Sequence, residues 1–282
     1  MDGFEKIEVE NEQGVATIAL QGAQVLAWEP KGERPVIWLS REARYVQGKS
    51  ARGGIPLCWP WFGPHPVEPS YPTHGFARSL TWELKGREEV EAGTLVVFGL
   101  LPHEPSWPHS SELECRISVG RKLEVELVTY NRGDHPFTLG CALHTYFSVS
   151  DVRKAKILGL EGTRYLDKVN GGERIQEGAV TIHSEVDRIY LDTASTCLIE
   201  DPGWNRIIRI EKTGSRSTVV WNPWIEKAEK LGDMGKEGYL GMLCVESCNA
   251  AQDVVTVPPS GEHRLKAVYS VLASQPGLRR SA

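Results

Sequence analysis

The chain has 282 residues, a formal net charge of −5 at pH 7 and a mean hydropathy of −0.30. This ordinary composition argues against a mostly disordered chain. The chain has no overall excess of basic residues, which disfavours nucleic acid and acidic membrane surfaces as partners. The 28 glycines and 17 prolines suggest many turns, and therefore many short strands. No change in composition marks a boundary, so we predict one domain over residues 1–282, with a frayed tail at 274–282.

Alternation of apolar and polar residues predicts half-buried strands of antiparallel sheets. In chain order, the predicted strands are Val15–Leu20, Gln24–Trp28, Val36–Leu39, Leu95–Leu100, Leu113–Val119, Leu123–Leu127, Pro136–Phe147, Ile207–Glu211, Ser217–Trp221, Gly241–Cys248 and Leu265–Val271. The pattern favours one or two helical turns at Glu226–Leu231 but no long amphipathic helix. We therefore predict an all-β chain, either a large sandwich or a barrel.

Two segments are irregular. Ser50–Ser79 places prolines and glycines among aromatic residues, and so long a loop in a compact domain is usually functional or disordered. Its tryptophans argue against disorder. Leu101–Ser111 is a second irregular stretch, for which we predict a packed surface loop.

The N-terminus has no apolar signal segment and the longest apolar stretch, Leu95–Leu101, is too short to span a bilayer, so we expect a cytoplasmic protein. The six scattered cysteines are then expected to be reduced and mostly buried. Cys244 and Cys248 would lie about 13 Å apart on one strand, too far for a disulfide or a shared zinc ion. We expect no metal and no other cofactor, and we expect a monomer.

Two residues in apolar strands are candidates for acid–base chemistry. His144 follows an apolar run, and it is either a core histidine with satisfied hydrogen bonds or a general acid or base. Glu246 is a single carboxylate in another apolar run, where burial would raise its pKa towards that of a working base. A buried structural salt bridge is the alternative for Glu246.

The long irregular segment also carries candidate ligands for an anion. Arg52 precedes two glycines, and Arg78 follows His74 closely. The planar guanidinium of arginine can donate two parallel hydrogen bonds to a phosphate or a carboxylate. Structural salt bridges are the alternative. His74 could contact a ligand or hold the loop, and Asp187 taken alone is an ordinary loop acid. The tryptophans Trp59, Trp61, Trp221 and Trp224 could form a wall for a sugar, or simply belong to the core.

Taken together, the motifs resemble a known family. R-G-G-I-P-L-C-W-P-W-F-G-P, H-G-F-A-R, L-H-T-Y-F, W-N-P-W and V-E-S occur in the order typical of the D-hexose-6-phosphate mutarotase (glucose-6-phosphate 1-epimerase) branch of the aldose 1-epimerase superfamily. The motifs run from Arg52 to Asn249, and the last alternating strand extends the resemblance nearly to the end of the chain. One departure is Thr73, where this branch often has glutamine before H-G-F-A-R.

The resemblance implies an all-β fold, a large antiparallel β-sandwich of the galactose-mutarotase type, and interconversion of the α and β anomers of a hexose 6-phosphate. It implies His144 as general acid and Glu246 as general base. It also implies that Arg52 and Arg78 hold the sugar phosphate. By the same resemblance His74 and Asp187 are sugar-contacting residues.

Three other hypotheses remain. An aldose 1-epimerase for neutral sugars would need the acid and the base but neither arginine. A non-catalytic carbohydrate-binding sandwich would need the arginines and tryptophans but not His144 together with Glu246. A metal-dependent double-stranded β-helix enzyme would need a tight cluster of histidines and carboxylates, which the sequence does not suggest.

Overall fold

The computed structural model describes residues 4–273, and the predicted frayed tail lies outside these described residues. The strands within them are β1 Lys6–Asn11, β2 Gly14–Ala19, β3 Gln24–Pro30, β4 Leu57–Cys58, β5 Glu83–Val90, β6 Gly93–Leu100, β7 Ser111–Val119, β8 Leu123–Asn131, β9 Phe137–Leu139, β10 Cys141–Leu143, β11 Tyr146–Ser148, β12 Lys156–Leu158, β13 Arg164–Asp167, β14 Glu173–Ile175, β15 Val180–Thr181, β16 Val186–Tyr190, β17 Cys197–Asp201, β18 Arg206–Thr213, β19 Ser217–Asn222, β20 Met242–Asn249, β21 Val255–Val257 and β22 Glu262–Ala273.

Helical structure is sparse. The α-helix α1 spans Trp224–Leu231, close to the predicted turns, and three 3₁₀ turns occupy Ala77–Ser79, Gly238–Gly241 and Ala251–Asp253. Gly232 ends α1 in the left-handed conformation that glycine adopts without strain. Among residues 4–273, each helix is too short or too polar to cross a membrane.

Two large antiparallel sheets form a sandwich, which confirms the predicted all-β class. The nine-stranded sheet has the order β15-β12-β17-β18-β22-β8-β7-β6-β5. The eight-stranded sheet has the order β14-β13-β16-β19-β20-β10-β4, and β11 also pairs with β20. A three-stranded sheet, β1-β2-β3, and a two-stranded one, β21-β9, complete the fold.

The central strand β20 is buried on both faces. Leu243 and Val245 belong to the main core that the two large sheets share, whereas Cys244 and Cys248 belong to a second cluster with Met234 of the segment that follows α1. Alternate residues of a strand point to opposite faces, so Glu246 shares the face of Cys244 and Cys248. We call this second face of the eight-stranded sheet the outer face.

Two predicted strands differ from the structure. Val36–Leu39 is wrong as a strand because its backbone pairs with several segments in turn, including Trp28, Tyr146 and Phe147, and forms only isolated bridges. Pro136–Phe147 is divided into β9, β10 and β11. The backbone N–H groups at the two breaks, those of Gly140 and His144, donate to Pro60 and Pro56 of the long irregular segment instead of to a strand.

The irregular segment is ordered by its burial. Ile55 and Trp59 are fully buried, and Leu57–Cys58 forms the edge strand β4 of the eight-stranded sheet. The second irregular stretch is anchored by Trp107, which packs against Trp59 and Phe137. All six cysteines are buried and free, as predicted. The extent of a single domain stays a prediction.

Candidate active site

The predicted acid and base meet beside the strand at the centre of the eight-stranded sheet. Glu246 lies within β20, and His144 occupies the gap between β10 and β11, both of which pair with β20. His144 Nε2 and Glu246 Oε1 are 3.4 Å apart. The backbone N–H of His144 donates to the carbonyl of Pro56 at 3.0 Å, so the long irregular segment fixes the chain at this break.

Both members of the pair are removed from water. Glu246 is 1% exposed and His144 is 9% exposed. Burial raises the pKa of Glu246 well above its ordinary value, and the carboxylate of Asp187 adds to the effect. Burial also lowers the pKa of His144 well below its ordinary value, with His74 and the cationic arginines lowering it further. Both shifts favour the uncharged forms, a protonated Glu246 carboxyl and a neutral His144 imidazole, so the pair holds one proton.

A row of side chains crosses the outer face of the sheet next to this pair. Asp187 of β16 lies opposite Trp221 of β19, which lies opposite Cys244 of β20, which in turn lies opposite Tyr146 of β11. Directly opposed residues of antiparallel strands point to the same face. The outer face therefore brings Asp187, Tyr146 and Trp221 to the side of the sheet that carries Glu246.

Tyr146 and Trp221 enclose the imidazole of His144. The Tyr146 ring stacks on that of His144 with centroids 5.0 Å apart and planes at 14°. Trp221 meets the same imidazole edge-on at 5.9 Å. Of the four tryptophans singled out from the sequence, Trp59 and Trp61 belong to the main core, while Trp221 borders the acid–base pair.

Asp187 is half-buried and already has a cationic neighbour. Its carboxylate lies 3.7 Å from Lys227 Nζ of α1, which also pairs with Glu185 at 2.7 Å. Burial raises the pKa of Asp187, and the nearby Lys227 opposes that shift. The structure thus places this predicted sugar-contacting residue on the outer face, two strands away from Glu246.

His74 comes from the irregular segment and lies against His144, with ring centroids 5.6 Å apart. Its Nδ1 accepts the backbone N–H of Gly63 at 3.1 Å. Burial, together with the cationic Arg78 and Arg52, lowers the pKa of His74 to about 3. The ring is therefore neutral near pH 7, and because Nδ1 accepts a hydrogen bond, the proton sits on Nε2, which is available as a donor.

The two predicted arginines line one cavity of about 450 Å³. Its other charged lining residues are Arg44, Lys49 and Asp233, so four cations face one carboxylate. Tyr146 lines the same cavity and stacks on His144, so the cationic cavity borders the acid–base pair. An excess of cationic side chains around one cavity suits an anionic ligand.

The two arginines are held differently. Arg52 Nε donates to Asp233 at 2.9 Å, and its Nη1 donates to the hydroxyl of Tyr146 at 3.2 Å. Arg78 Nη2 donates to the backbone carbonyl of Thr73 at 2.6 Å. Among residues 4–273, no carboxylate lies within ion-pair distance of Arg78. Thr73, the departure from the family pattern, thus contributes its backbone to this arrangement.

A larger cavity of about 600 Å³ lies along the irregular stretch at Leu101–Ser111. Its lining includes His103, Glu104, His109 and Arg132 but none of the six predicted site residues. Of the six, Arg52 and Arg78 line the smaller cavity, and His74 lies against His144 of the neighbouring acid–base pair.

Sequence reasoning missed four residues of this region: Arg44, Lys49, Tyr146 and Asp233. A weak signal existed for Tyr146, which belongs to the L-H-T-Y-F motif two residues after His144. Lys49 and Arg44 precede the first arginine closely and could have been considered with it. Asp233 is 181 positions from its partner Arg52, so only the folded chain reveals that contact.

One set of side chains on this face has the donor types of a metal site. His144, Cys244 and Glu246 each offer one ligand atom, and these three atoms lie within 4.8 Å of one another. The sequence analysis considered only a cluster of histidines and carboxylates and the pair of cysteines on one strand, and it overlooked this combination.

Gly75 is required where the irregular segment meets Trp59. Its φ is +69°, and an added Cβ would lie 2.0 Å from the carbonyl oxygen of Trp59. We expect Gly75→Ala to lower the free energy of unfolding by more than the ~1–3 kcal/mol typical of backbone strain alone. Gly162→Ala is the matched control, since Gly162 has a φ of +74° and nothing within 4 Å of the added Cβ. Chemical denaturation measures both variants, and equal losses would contradict a clash at Gly75.

Comparison with known proteins found a matching family, similar sequences and a similar solved structure. Residues 5–270 match the aldose 1-epimerase family. A protein of Salmonella typhimurium named "Putative glucose-6-phosphate 1-epimerase" is 38% identical over 267 residues, covering 92% of this chain and 89% of that protein. A protein of Escherichia coli with the same name is 38% identical over 257 residues, covering 89% of this chain and 85% of that protein. The crystal structure of a protein described as a putative mutarotase from Salmonella typhimurium superposes with a TM-score of 0.90 at 36% identity, covering 97% of this chain and 92% of the other.

Proposed function

Because the chain belongs to the aldose 1-epimerase family, we propose that it interconverts the α and β anomers of a hexose 6-phosphate, glucose 6-phosphate first. The observation that carries this proposal is the buried pair His144–Glu246, 3.4 Å apart, beside a cavity lined by four cationic side chains. The relatives named for glucose-6-phosphate 1-epimerase support the choice of substrate.

The geometry of the pair suits the opening of a pyranose ring. One proton must leave the C1 hydroxyl and another must reach the ring oxygen, and both oxygens are bonded to the same carbon. The acid and the base must therefore lie close together, as His144 and Glu246 do. With the single proton of the pair moved from Glu246 to His144, Glu246 accepts the hydroxyl proton, His144 donates to the ring oxygen, and the C1–ring-oxygen bond breaks to leave a free aldehyde.

Ring closure reverses the two roles. The aldehyde rotates about the C1–C2 bond, and the hydroxyl formed from the ring oxygen then attacks the other face of the carbonyl. His144 takes back the proton from the attacking hydroxyl while Glu246 returns its proton to the new C1 hydroxyl. The pair ends with the single proton with which it began, so no further reactant is consumed. Each general acid or base typically contributes about 10²–10⁴-fold to the rate.

The remaining predicted residues position the sugar. Nε2–H of the neutral His74 can donate to a hydroxyl next to the reacting carbon, and the Asp187 carboxylate can accept from another. Arg52 and Arg78 hold the phosphate, which is distant from C1 and anchors the ring by charge-assisted hydrogen bonds. We further propose that the protein acts as a cytoplasmic monomer without nucleic-acid or membrane partners.

NMR exchange between anomers, or polarimetry, tests the proposal on glucose 6-phosphate with glucose as the comparison sugar. We expect much faster catalysed exchange for the phosphorylated sugar. Equal acceleration of both sugars would favour an epimerase for neutral sugars. Binding without acceleration of either sugar would favour a carbohydrate-binding protein that lacks catalysis.

For protein prepared without bound zinc, prolonged treatment with a chelator is expected to leave the anomerisation rate unchanged, because the proposed steps move only protons between the sugar and two side chains. The rate before and after dialysis against the chelator measures this. A reversible loss of activity that a divalent ion restores would contradict the proposed mechanism.

A further inference from the structure

Cys244 is a buried thiol that the proposed mechanism does not use. It is 0% exposed and lies two residues before Glu246 on β20, so both side chains point to the outer face. Tyr146 flanks it on one neighbouring strand and Trp221 on the other. Since Tyr146 and Trp221 also pack on His144, the thiol is held beside the acid–base pair rather than at the rim of the cavity.

The donor set selects a class of metal ion. A nitrogen of His144, the sulfur of Cys244 and an oxygen of Glu246 lie within 4.8 Å of one another. Imidazole and thiolate suit zinc, whereas calcium and magnesium take oxygen ligands. Three protein ligands would leave one tetrahedral position open.

The distances fit zinc with a small adjustment. Bonds of about 2.0–2.2 Å to nitrogen and oxygen place those two atoms about 3.4 Å apart around a tetrahedral zinc ion. His144 Nε2 and Glu246 Oε1 are already 3.4 Å apart. A zinc–sulfur bond of about 2.3 Å would place the sulfur about 3.6 Å from each of the other donors. The three donor atoms all lie within 4.8 Å of one another, so the thiol sulfur would have to approach by roughly 1 Å at most.

The hydrogen bonding of the His144 imidazole is incomplete. Its Nδ1 is buried and has no hydrogen-bond partner among residues 4–273, and its Nε2 lies 3.4 Å from Glu246, longer than a good hydrogen bond. Neither ring nitrogen therefore makes a strong hydrogen bond within the described residues.

We propose that His144, Cys244 and Glu246 form an inhibitory zinc site. Zinc binding displaces the thiol proton and the proton of the acid–base pair to solvent, and the metal then occupies the lone pairs that proton transfer requires. The inhibition rests on the proposed function, since it blocks the acid and the base. Metal binding itself does not rest on that function and can be measured without a sugar.

The direct test uses Co²⁺ as a spectroscopic substitute for zinc on the chelator-treated full chain. A thiolate-to-cobalt charge-transfer band should appear with one equivalent of metal, and added Zn²⁺ should abolish it. Cys244→Ala should lose this band. Cys58→Ala is the matched control, because Cys58 is another buried free thiol of the same cluster but outside the set of three, and it should keep the band. Absence of the band from the wild-type protein would overturn the proposal even if Cys244→Ala failed to fold.

The activity test compares each variant with its own metal-free rate. Zn²⁺ should inhibit the wild type and Cys58→Ala alike, whereas Cys244→Ala should need about tenfold or more zinc, since even residues that only support a ligand can change affinity by about 10–100-fold. Equal sensitivity of all three proteins would overturn the assignment. Activation by zinc would overturn it in a different way, by making the metal a cofactor. Normal cobalt binding to a protein without epimerase activity would instead count against the proposed function alone.

Discussion

Replacing Glu246 with glutamine is expected to lower the rate of anomerisation by about 10²-fold or more. Glutamine has nearly the same shape as glutamate but cannot accept a proton from the C1 hydroxyl at a useful rate. The side chain is 1% exposed, and Cys248 Sγ lies 3.9 Å from its Oε2, so an amide of the same size keeps the packing. The measurement is kcat for glucose 6-phosphate by NMR exchange, with thermal unfolding to confirm the fold.

The partner variant His144→Ala is expected to lose activity to a similar extent, since it removes the proton donor for the ring oxygen. The double variant separates a shared mechanism from two independent roles. Residues that act as one unit give losses that are far from additive, so the double variant should be little slower than either single one. A near-normal rate in either single variant would remove that residue from the mechanism, and multiplied losses would indicate that the two act independently.

Much of the fold could be predicted because burial on one face leaves a period of two in the sequence. β7 alternates buried and half-buried residues along its whole length, and its pattern was found directly. β5 could not be found in this way. Every residue of Glu83–Val90 except Gly86 is exposed, since β5 is the edge strand of the nine-stranded sheet. An edge strand with little buried surface leaves no periodic signal.

The candidate site was predicted by residue but not by arrangement. His144 and Glu246 were conspicuous because a polar side chain in an apolar run is costly unless it has a partner or a function. The break in the strand at His144 was missed, because its cause is a hydrogen bond to Pro56, 88 positions earlier in the chain. Cys244 was likewise judged only against Cys248 on its own strand, whereas its relevant neighbours come from other strands.

Loss of either predicted phosphate-binding arginine is expected to collapse the preference for glucose 6-phosphate over glucose. A hydrogen bond that involves a charged group contributes about 1.5–3 kcal/mol. At about 1.4 kcal/mol for each factor of ten, Arg78→Ala should weaken binding of the phosphorylated sugar by about one to two orders of magnitude. A neutral hexose has no phosphate for the arginine to bind, so its kcat/KM should change little.

Arg52→Ala should have the larger effect because Arg52 also neutralises Asp233. Their ion pair measures 2.9 Å, and both residues line the same cavity. Without the guanidinium, the carboxylate of Asp233 would face the phosphate and repel it. The double variant Arg52→Ala/Asp233→Asn should therefore recover part of the preference. Arg52→Lys should also recover part, since lysine keeps the charge but lacks the planar fork.

The deciding quantity is the ratio of kcat/KM for glucose 6-phosphate to that for glucose, in the wild type and in each variant. Arg132→Ala is the matched control, because Arg132 is a partly exposed arginine that lines the other cavity and pairs with Glu112. It should keep the wild-type ratio. The ratio cancels any general loss of active protein, since both sugars are measured on one preparation. A wild type without this preference, or arginine variants that retain it, would contradict the assignment of the phosphate to the two arginines. The neutral-sugar epimerase would then become the leading hypothesis, because the acid and the base would remain. The arginines would serve only to tie Asp233 and Thr73 to the fold.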